Sequence, residues 1–582
     1  MFQVILLIFH VYYTNYGNFY HVYDNIIEKD TEAITMNELV FEKNSTLDNI
    51  LTVQSLHLNN YPIVYILYND KKKPSVYIGQ TVHASRRLKN HMENDKRKNL
   101  NHSILIGHEK FNQSATYNIE SNLINYFIAD NHYQLQNVSQ TKSRVMHNYY
   151  QKSFYNEEIF HLIWEELRKE QIVTDTIENL RNKDIYKLSP YKELSTQQLD
   201  IKNEILNFCK EYVHKEGNHV ITIEGDAGTG KSVLLSSLFN TIQDLAKDAS
   251  SFLYGTDNYL LVNHTEMLKT YKSIANSLPN LKKKNLLKPT PFINTKNKSN
   301  ETVDIVLIDE AHLLLTKEDP YNNFRSHNQL DEIIKRSKIS IVIFDPKQVL
   351  KIKSYWNDRL LEEITHQYNV KTVKLTDQMR MHANLETIKW IDHFVAKKIL
   401  TMPSKEDSSF ELEFFEDADT FKKAIERKNN EIGLSRIVST FDYIHKKDGK
   451  TYFVDEEGIN MPWNSTQDSI TWAEGPSSIK EVGSIYTVQG FDLNYVGVVL
   501  GPSVSYDRKT DELVIDSSKY KDIGAFTSRT DLSPEKNQEI KEEIILNSIN
   551  VLMKRGIHGL YIYATDSKLR ERLLELKKKR RF

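Results

Sequence analysis

From about residue 191 onward, short β-branched runs alternate with longer amphipathic stretches. The runs are His219–Ile223, Tyr259–Val262, Ile305–Ile308, Ile339–Phe344, Thr372–Leu375, Arg436–Ser439, Val496–Leu500 and Leu560–Tyr563. They are mostly apolar at consecutive positions, which predicts strands buried on both faces. The helical stretches between them predict an α/β fold of parallel sheets covered on both sides. Upstream the texture differs. Ile63–Leu67 and Val76–Ile78 read as two strands separated by the turn-like Asn69-Asp70 and a lysine run, and Arg86–His91 reads as the start of a helix. Residues 151–190 read as a charged helical connector, with Phe160, Leu162, Ile163 and Leu167 at helical spacing. Asn294–Asn300, downstream of Lys282–Lys284, reads as an exposed loop.

At 582 residues the chain is long enough for several cores. With 40% hydrophobic and 26% charged residues it is globular rather than disordered. The net charge of −2 excludes a globally basic nucleic-acid binder, so any such surface is local. Residues 61–150 are locally basic, with 12 Lys and Arg against 6 Asp and Glu. The tail Lys577–Arg581 is a second basic run, read first as a solvated end. The single cysteine, Cys209, excludes an internal disulfide and a Cys-rich zinc site, and fits a reducing, cytoplasmic setting. Phe2–Tyr13 is apolar, but twelve residues are too few to span a bilayer, and no basic residue precedes them. No membrane association is expected.

One motif carries explicit chemistry. Gly225-Asp226-Ala227-Gly228-Thr229-Gly230-Lys231-Ser232 fits G-x-x-x-x-G-K-[ST], between the apolar run Val220–Ile223 and the helix-like Val233–Phe239. Glycines let backbone N–H groups turn inward around phosphate oxygens, and a helix N-terminus adds its positive end. Lys231 is placed to reach the β- and γ-phosphates of ATP, and the Ser232 hydroxyl to ligate Mg²⁺. Further on, Ile305–Ile308 runs into Asp309-Glu310-Ala311-His312. A buried parallel strand delivers such carboxylates to its carboxyl end, where ligands bind. Asp309 is expected to hold Mg²⁺ through water, and Glu310 to take a proton from the attacking water.

Residues 191–582 resemble a superfamily 1 helicase core of two RecA-like domains, and are similar to the Schlafen-like P-loop domain of bacteria. Leu194-Ser195-Thr196-Gln197-Gln198 resembles the motif whose glutamine, here Gln198, reads adenine. Phe344–Gln348 resembles the motif whose glutamine, Gln348, senses the γ-phosphate. Leu375–Arg380 resembles a second-domain motif carrying an arginine, Arg380. Tyr486–Asp492, with Gln489 and Gly490, resembles the motif that couples ATP to nucleic acid. Val551–Gly556 resembles the last motif, whose Arg555 reaches across the cleft. Asn263-His264 resembles a nucleic-acid backbone contact. The resemblance implies that Gly225, Gly228, Gly230, Lys231, Ser232 and Asp309 bind ATP and Mg²⁺. It also implies that Arg380 and Arg555 complete the site when the cleft closes. The spacing between motifs leaves no room for the large inserts of processive helicases, so translocation, remodelling and switching all stay open.

Residues 61–150 resemble a GIY-YIG nuclease. Tyr77-Ile78-Gly79 is intact, whereas Ile63-Val64-Tyr65 keeps the tyrosine and replaces the glycine. Arg87 and His91 are four apart, hence on one helical face. The resemblance implies catalytic roles for Tyr65, Tyr77, Arg87 and His91, a metal-binding Glu120, a later Asn137, and His102 near the site. The expected organisation is therefore an N-terminal segment (1–60), a nuclease-like α/β module (61–150), a connector (151–190) and two RecA-like domains (191–369 and 370–582). The expected function is an ATP-regulated nuclease on DNA, with a role in defence against foreign DNA. The alternatives are a remodelling or repair ATPase whose upstream module only binds, and an NTP-dependent switch gating a protein partner.

Overall fold

The computed structural model describes residues 34–41, 58, 60–137, 148–225, 228–345, 348–356, 358–377, 380–404, 409–446, 448–465, 471–488, 491–526 and 532–580. The N-terminal apolar run and Gln489-Gly490 lie outside them. The chain divides into two compact units, Met1–Leu123 with Asn148–Ile172, and Ile124–His147 with Val173–Phe582.

In the upstream unit, strands β1 (Thr35–Val40), β2 (Ile63–Tyr68), β3 (Ser75–Thr81) and β4 (His102–Gly107) pair antiparallel in the order β1-β4-β2-β3. The segment before residue 61, in which no motif was legible, thus supplies a strand. All six residues of β2 are buried, because it is flanked by a strand on each side and covered by helix α1 (Ala84–Met92). Ala84, Leu88 and His91 form the buried stripe of α1. The β2–β3 loop closes on Asn69, whose Oδ1 accepts from the Ser75 N–H (3.0 Å). Helix α2 (Gln113–Asp130) carries Glu120, and α3 (Phe160–Lys169) follows. In α3 Phe160, Ile163, Trp164 and Leu167 are buried, but Leu162 is 40% exposed, so the apolar stripe runs through Trp164 instead.

In the downstream unit, one sheet contains β5 (His219–Gly225), β6 (Asn258–Val262), β7 (Leu286–Leu287), β8 (Val303–Asp309), β9 (Ser337–Phe344) and β10 (Asn369–Leu375). Its order is β10-β5-β9-β8-β6-β7, parallel throughout. The run Thr372–Leu375, assigned above to a second domain, is therefore the edge strand of the first sheet. The likeness of the adjoining Leu375–Arg380 to a second-domain motif put it there, whereas its exposed positions mark an edge strand that is only partly covered. Asn294–Asn300 is not a loop. Pro289–Ser299 is helix α4, begun by Pro at its first turn, anchored by buried Phe292 and Ile293, and ended by left-handed Asn300.

The second sheet contains β11 (Glu411–Phe414), β12 (Arg436–Ser439), β13 (Tyr452–Glu456), β14 (Ile459–Trp463), β15 (Val482–Gly483), β16 (Leu493–Leu500) and β17 (Gly556–Ala564). Its order is β11-β17-β16-β12-β15-β14-β13, parallel except for the β13–β14 hairpin. Helix α5 (Pro534–Met553) ties the two sheets together. Its Ile540 and Ile544 enter the first core, and Ile545 and Ile549 the second. Parallel sheets with helices against them, two in succession, are the RecA-like α/β class. The basic tail is not a loose end: Lys577 pairs with Glu413 (2.7 Å), and Arg580 bonds the carbonyls of Pro403 and Leu412.

Candidate functional sites

The phosphate loop follows β5 and opens a helix at Lys231, with Gly228 (φ 90°) and Gly230 (φ 76°) left-handed. A side chain at Gly225 would meet the Leu375 carbonyl and the Thr229 hydroxyl at 2.9 Å, so the loop packs against the edge strand β10. Lys231 is 8% exposed, and its Nζ bonds the Gly225 carbonyl (2.6 Å) and Asp345 Oδ2 (3.0 Å). Gln348 Nε2 donates to that same Asp345 oxygen (2.6 Å). Asp345 thus links the loop lysine to the glutamine, a role passed over in the sequence although it lies inside the quoted motif.

Asp309 ends β8 beside the loop. Its Oδ1 lies 3.5 Å from Ser232 Oγ, and its Oδ2 accepts from the Tyr271 hydroxyl (2.9 Å). Burial, and then the neighbouring Glu310, push the Asp309 carboxyl up. Burial and then Asp309 likewise push the Tyr271 phenol up. Glu310 is left-handed (φ 53°), a conformation a non-glycine residue holds only where surrounding structure enforces it. Burial alone would raise its carboxyl. The His312 ring nitrogen 3.0 Å away, with Lys231 and Arg555, overrides that and holds it well below the usual range. Neither Tyr271 nor His312 was singled out by sequence; only the last letter of Asp309-Glu310-Ala311-His312 hinted at the latter.

Lys231, Ser232 and Glu310 line a cavity of 370 Å³ that Gln198, Gln348, Arg380, Asp492 and Arg555 also reach. Arg380 was expected from the second domain, yet its N–H bonds the Gly228 carbonyl of the phosphate loop (3.1 Å). Only its guanidinium reaches across, to Asp492. Arg555 arrives from just before β17, is 1% exposed and donates to the Phe491 carbonyl (3.1 Å). Burial and the adjacent Arg380 depress it to about 9. Gln198 behaves differently from its motif. Its Oε1 accepts from the Ser195 N–H (3.0 Å), and its Nε2 lies 3.3 Å from the carbonyls of Thr229 and Gly230. Its amide therefore braces the phosphate loop. Lys192, from the segment preceding that motif, also lines the cavity, and burial and Lys187 lower it to about 8.

A separate groove of 740 Å³ includes Asn263, His264, Lys288, Lys351, Tyr321 and Tyr486. Asn263 Nδ2 donates to the Leu313 carbonyl (2.6 Å), so its side chain holds the loop after Glu310. His264 caps a helix through the Met267 N–H (3.4 Å), and burial lowers it to about 4. Tyr321 is 93% exposed.

In the upstream unit, four of the sequence candidates converge. Tyr65 Oη lies 2.8 Å from His91 Nε2 and accepts from Arg87 Nε (3.0 Å); Arg87 also reaches Tyr77 Oη at 3.5 Å. Burial, then Arg87 and Arg97, lower His91 to about 4, so near neutral pH its ring is uncharged beside the Tyr65 hydroxyl. Burial, with Tyr77 beside it, pushes the Tyr65 phenol far up. Gly79 pairs across the ladder with Tyr65, and a Cβ there would overlap the Tyr65 ring and hydroxyl, which is the physical reason for glycine at that position. Glu120 is buried in α2 of the same unit (5% exposed). His102 does not join the cluster. It pairs with Tyr68, three residues and about 10 Å along β2 from Tyr65, stacks on that ring (4.8 Å) and meets Glu38 (3.3 Å). Asn137 belongs to the downstream unit, where its carbonyl accepts from the Tyr191 hydroxyl (3.3 Å). Among the described residues no group of three or more His, Cys, Asp or Glu is arranged to hold a metal ion, and no helix is long and apolar enough to cross a membrane.

Residues 218–566 match the family described as Schlafen group 3, DNA/RNA helicase domain. The chain belongs to that family. It is 37% identical over 417 residues to the uncharacterised protein YPL245W of Saccharomyces cerevisiae, an alignment spanning 66% of this chain and 91% of the relative. That relative is a yeast protein, so the likeness is not confined to bacteria. Among solved structures, Pif1 helicase from Candida albicans aligns over 67% of this chain and 99% of its own, at 12% identity and a TM-score of 0.28, a level that carries no argument.

Proposed function

We propose that this Schlafen group 3 helicase-type protein hydrolyses ATP in the cleft at Lys231 and cuts DNA at the Tyr65–Tyr77–Arg87–His91 cluster. The observation that carries the nuclease half is the convergence of two phenols, a guanidinium and a neutral imidazole from two strands and a helix. Tyr65 is fully buried, so Tyr77 and the outer end of Arg87 are the groups open to substrate. In the hydrolysis, a water oxygen bonds to phosphorus and the bond from phosphorus to the leaving sugar oxygen breaks. Arg87 faces the charge growing on the phosphate, the water's proton is relayed through a phenol that gives up its own to the neutral imidazole of His91, and the leaving sugar oxygen takes a proton from solvent. Glu120 would supply a carboxylate to hold a hard divalent ion, whose charge would offset that of the substrate phosphate.

In the ATP site, Ser232 Oγ and Asp309 Oδ1 stand close enough to share one ion, which fits Mg²⁺. Bound there, Mg²⁺ neutralises phosphate charge. Lys231 exchanges its Gly225 and Asp345 contacts for phosphate oxygens, Glu310 takes the proton of the attacking water, and Arg380 and Arg555 meet the charge that develops as the γ-phosphoryl leaves. The groove with Lys288, Lys351 and exposed Tyr321 offers two cations and a stacking ring to a nucleic-acid strand. Joining a nuclease to such a motor suits defence against foreign DNA.

The test is cleavage of plasmid and single-stranded DNA with Mg²⁺, with and without ATP. Glu120→Ala is expected to abolish cutting, and Lys231→Ala to change only its ATP dependence. Equal cutting by wild type and Glu120→Ala would defeat the nuclease assignment. ATPase activity with no cutting would leave the remodelling enzyme.

A further inference from the structure

The run Lys96-Arg97-Lys98 has the look of surface charge in the sequence, yet its middle residue turns inward. Arg97 ends a short 3₁₀ turn whose Asn94 cap accepts from the Lys96 N–H (3.0 Å), and its own carbonyl accepts from Leu100 (3.0 Å), so its main chain is fixed on both sides. The side chain is 9% exposed, and its guanidinium carbon lies 3.7 Å from the centroid of the Tyr77 ring. The Tyr77 ring also meets the His91 ring at 4.8 Å and the Tyr65 ring at 6.2 Å. Tyr77 lies on β3 and is only partly buried, so its phenol depends on such neighbours for its position. A guanidinium over the face of a ring holds it by contact and by attraction to the π cloud, which an ammonium reproduces only in part.

We propose that Arg97 is the positioning residue for Tyr77, fixing that phenol beside Arg87 where the scissile phosphate enters. The inference rests on the nuclease reading above and deepens it. Arg97 also adds a second positive charge to the surroundings of His91, which Tyr65 faces from β2, Tyr77 from β3 and Arg87 from its own helix.

The test uses the full chain with Arg97→Gln and Arg97→Lys, each checked for an unchanged thermal transition. In Mg²⁺-dependent cutting, Arg97→Gln is expected to lower kcat about a hundredfold and Arg97→Lys about tenfold, with DNA Kd within about twofold of wild type. The acid limb of the pH profile moves up in Arg97→Gln, where a charge beside His91 is lost, and stays in place in Arg97→Lys. NMR of ring-labelled Tyr and His, with Tyr77→Phe and His91→Ala as assignment controls, reads the same rings without turnover. Displaced Tyr77 and His91 signals in Arg97→Gln support the placement. Wild-type signals and kcat in Arg97→Gln overturn it, as does a weaker Kd at unchanged kcat, which would make Arg97 a DNA contact. A wild type without Glu120-dependent cutting defeats the nuclease reading instead, and the ring signals then decide Arg97 separately.

Discussion

Replacing His312 with alanine removes the largest of the influences that keep Glu310 ionised, ahead of Lys231 and Arg555. The carboxylate is buried, and burial by itself favours its neutral form; the imidazole at 3.0 Å is the main opposing influence. A hydrogen bond to a charged group contributes about 1.5–3 kcal/mol. At about 1.36 kcal/mol per pH unit, losing it raises the Glu310 carboxyl by about one to two pH units. Glu310 accepts a proton in the proposed hydrolysis, so the acid limb of the kcat profile for ATP should move up by that amount. Binding of a fluorescent ATP analogue should stay within about twofold, because His312 acts here through Glu310, 3.0 Å from its ring. Stability follows the same sign. A carboxyl held low in the folded state stabilises it above its unfolded value of about 4.3, and that contribution fades as pH falls through the folded value. Wild type should therefore exceed His312→Ala in unfolding free energy near neutrality and converge with it in acid. Superimposable kcat–pH curves for the two proteins would refute this account of Glu310.

Other outcomes follow from single contacts. Gly79→Ala forces a methyl into the Tyr65 phenol, so thermal unfolding of the upstream unit should show a loss of about 1–3 kcal/mol, with cutting reduced more than DNA binding. Lys231→Ala should abolish ATP hydrolysis and also destabilise the first sheet by about 3–5 kcal/mol, because buried Asp345 loses its cation; Lys231→Ala with Asp345→Asn should recover most of that stability and none of the turnover. Lys577→Ala with Arg580→Ala should leave the salt dependence of DNA affinity unchanged, since both side chains are engaged with the chain's own carbonyls and Glu413. Chelation of divalent ions should stop ATP hydrolysis and cutting, and added Mg²⁺ should restore both.

The phosphate loop, the acidic strand end and the Tyr-x-Gly hairpin were legible in the linear chain because each is a local device. A strand, a tight turn and a helix start lie within a few residues of one another, and the chemistry depends on that spacing. All eight runs proved to be strands, and most of them for the same reason: a strand covered on both faces leaves a continuous apolar signature. What failed depended on distant partners. The edge strand Asn369–Leu375 joins a sheet whose other members precede it by 60 residues or more in some cases, as Thr372 pairs with Thr222. The strand Thr35–Val40 is half-exposed and carries no strong pattern.

Sequence by itself determined which backbone segments have the form of a phosphate cradle and which side chains could serve, because glycine conformations and helix starts are set locally. Only the tertiary structure decided which groups act on one another. Asp345 on Lys231, His312 on Glu310, Tyr271 on Asp309 and Arg97 on Tyr77 are contacts made by burial, which gives each charge or ring a fixed partner, and at Asp309 and Glu310 those surroundings also alter the proton affinity.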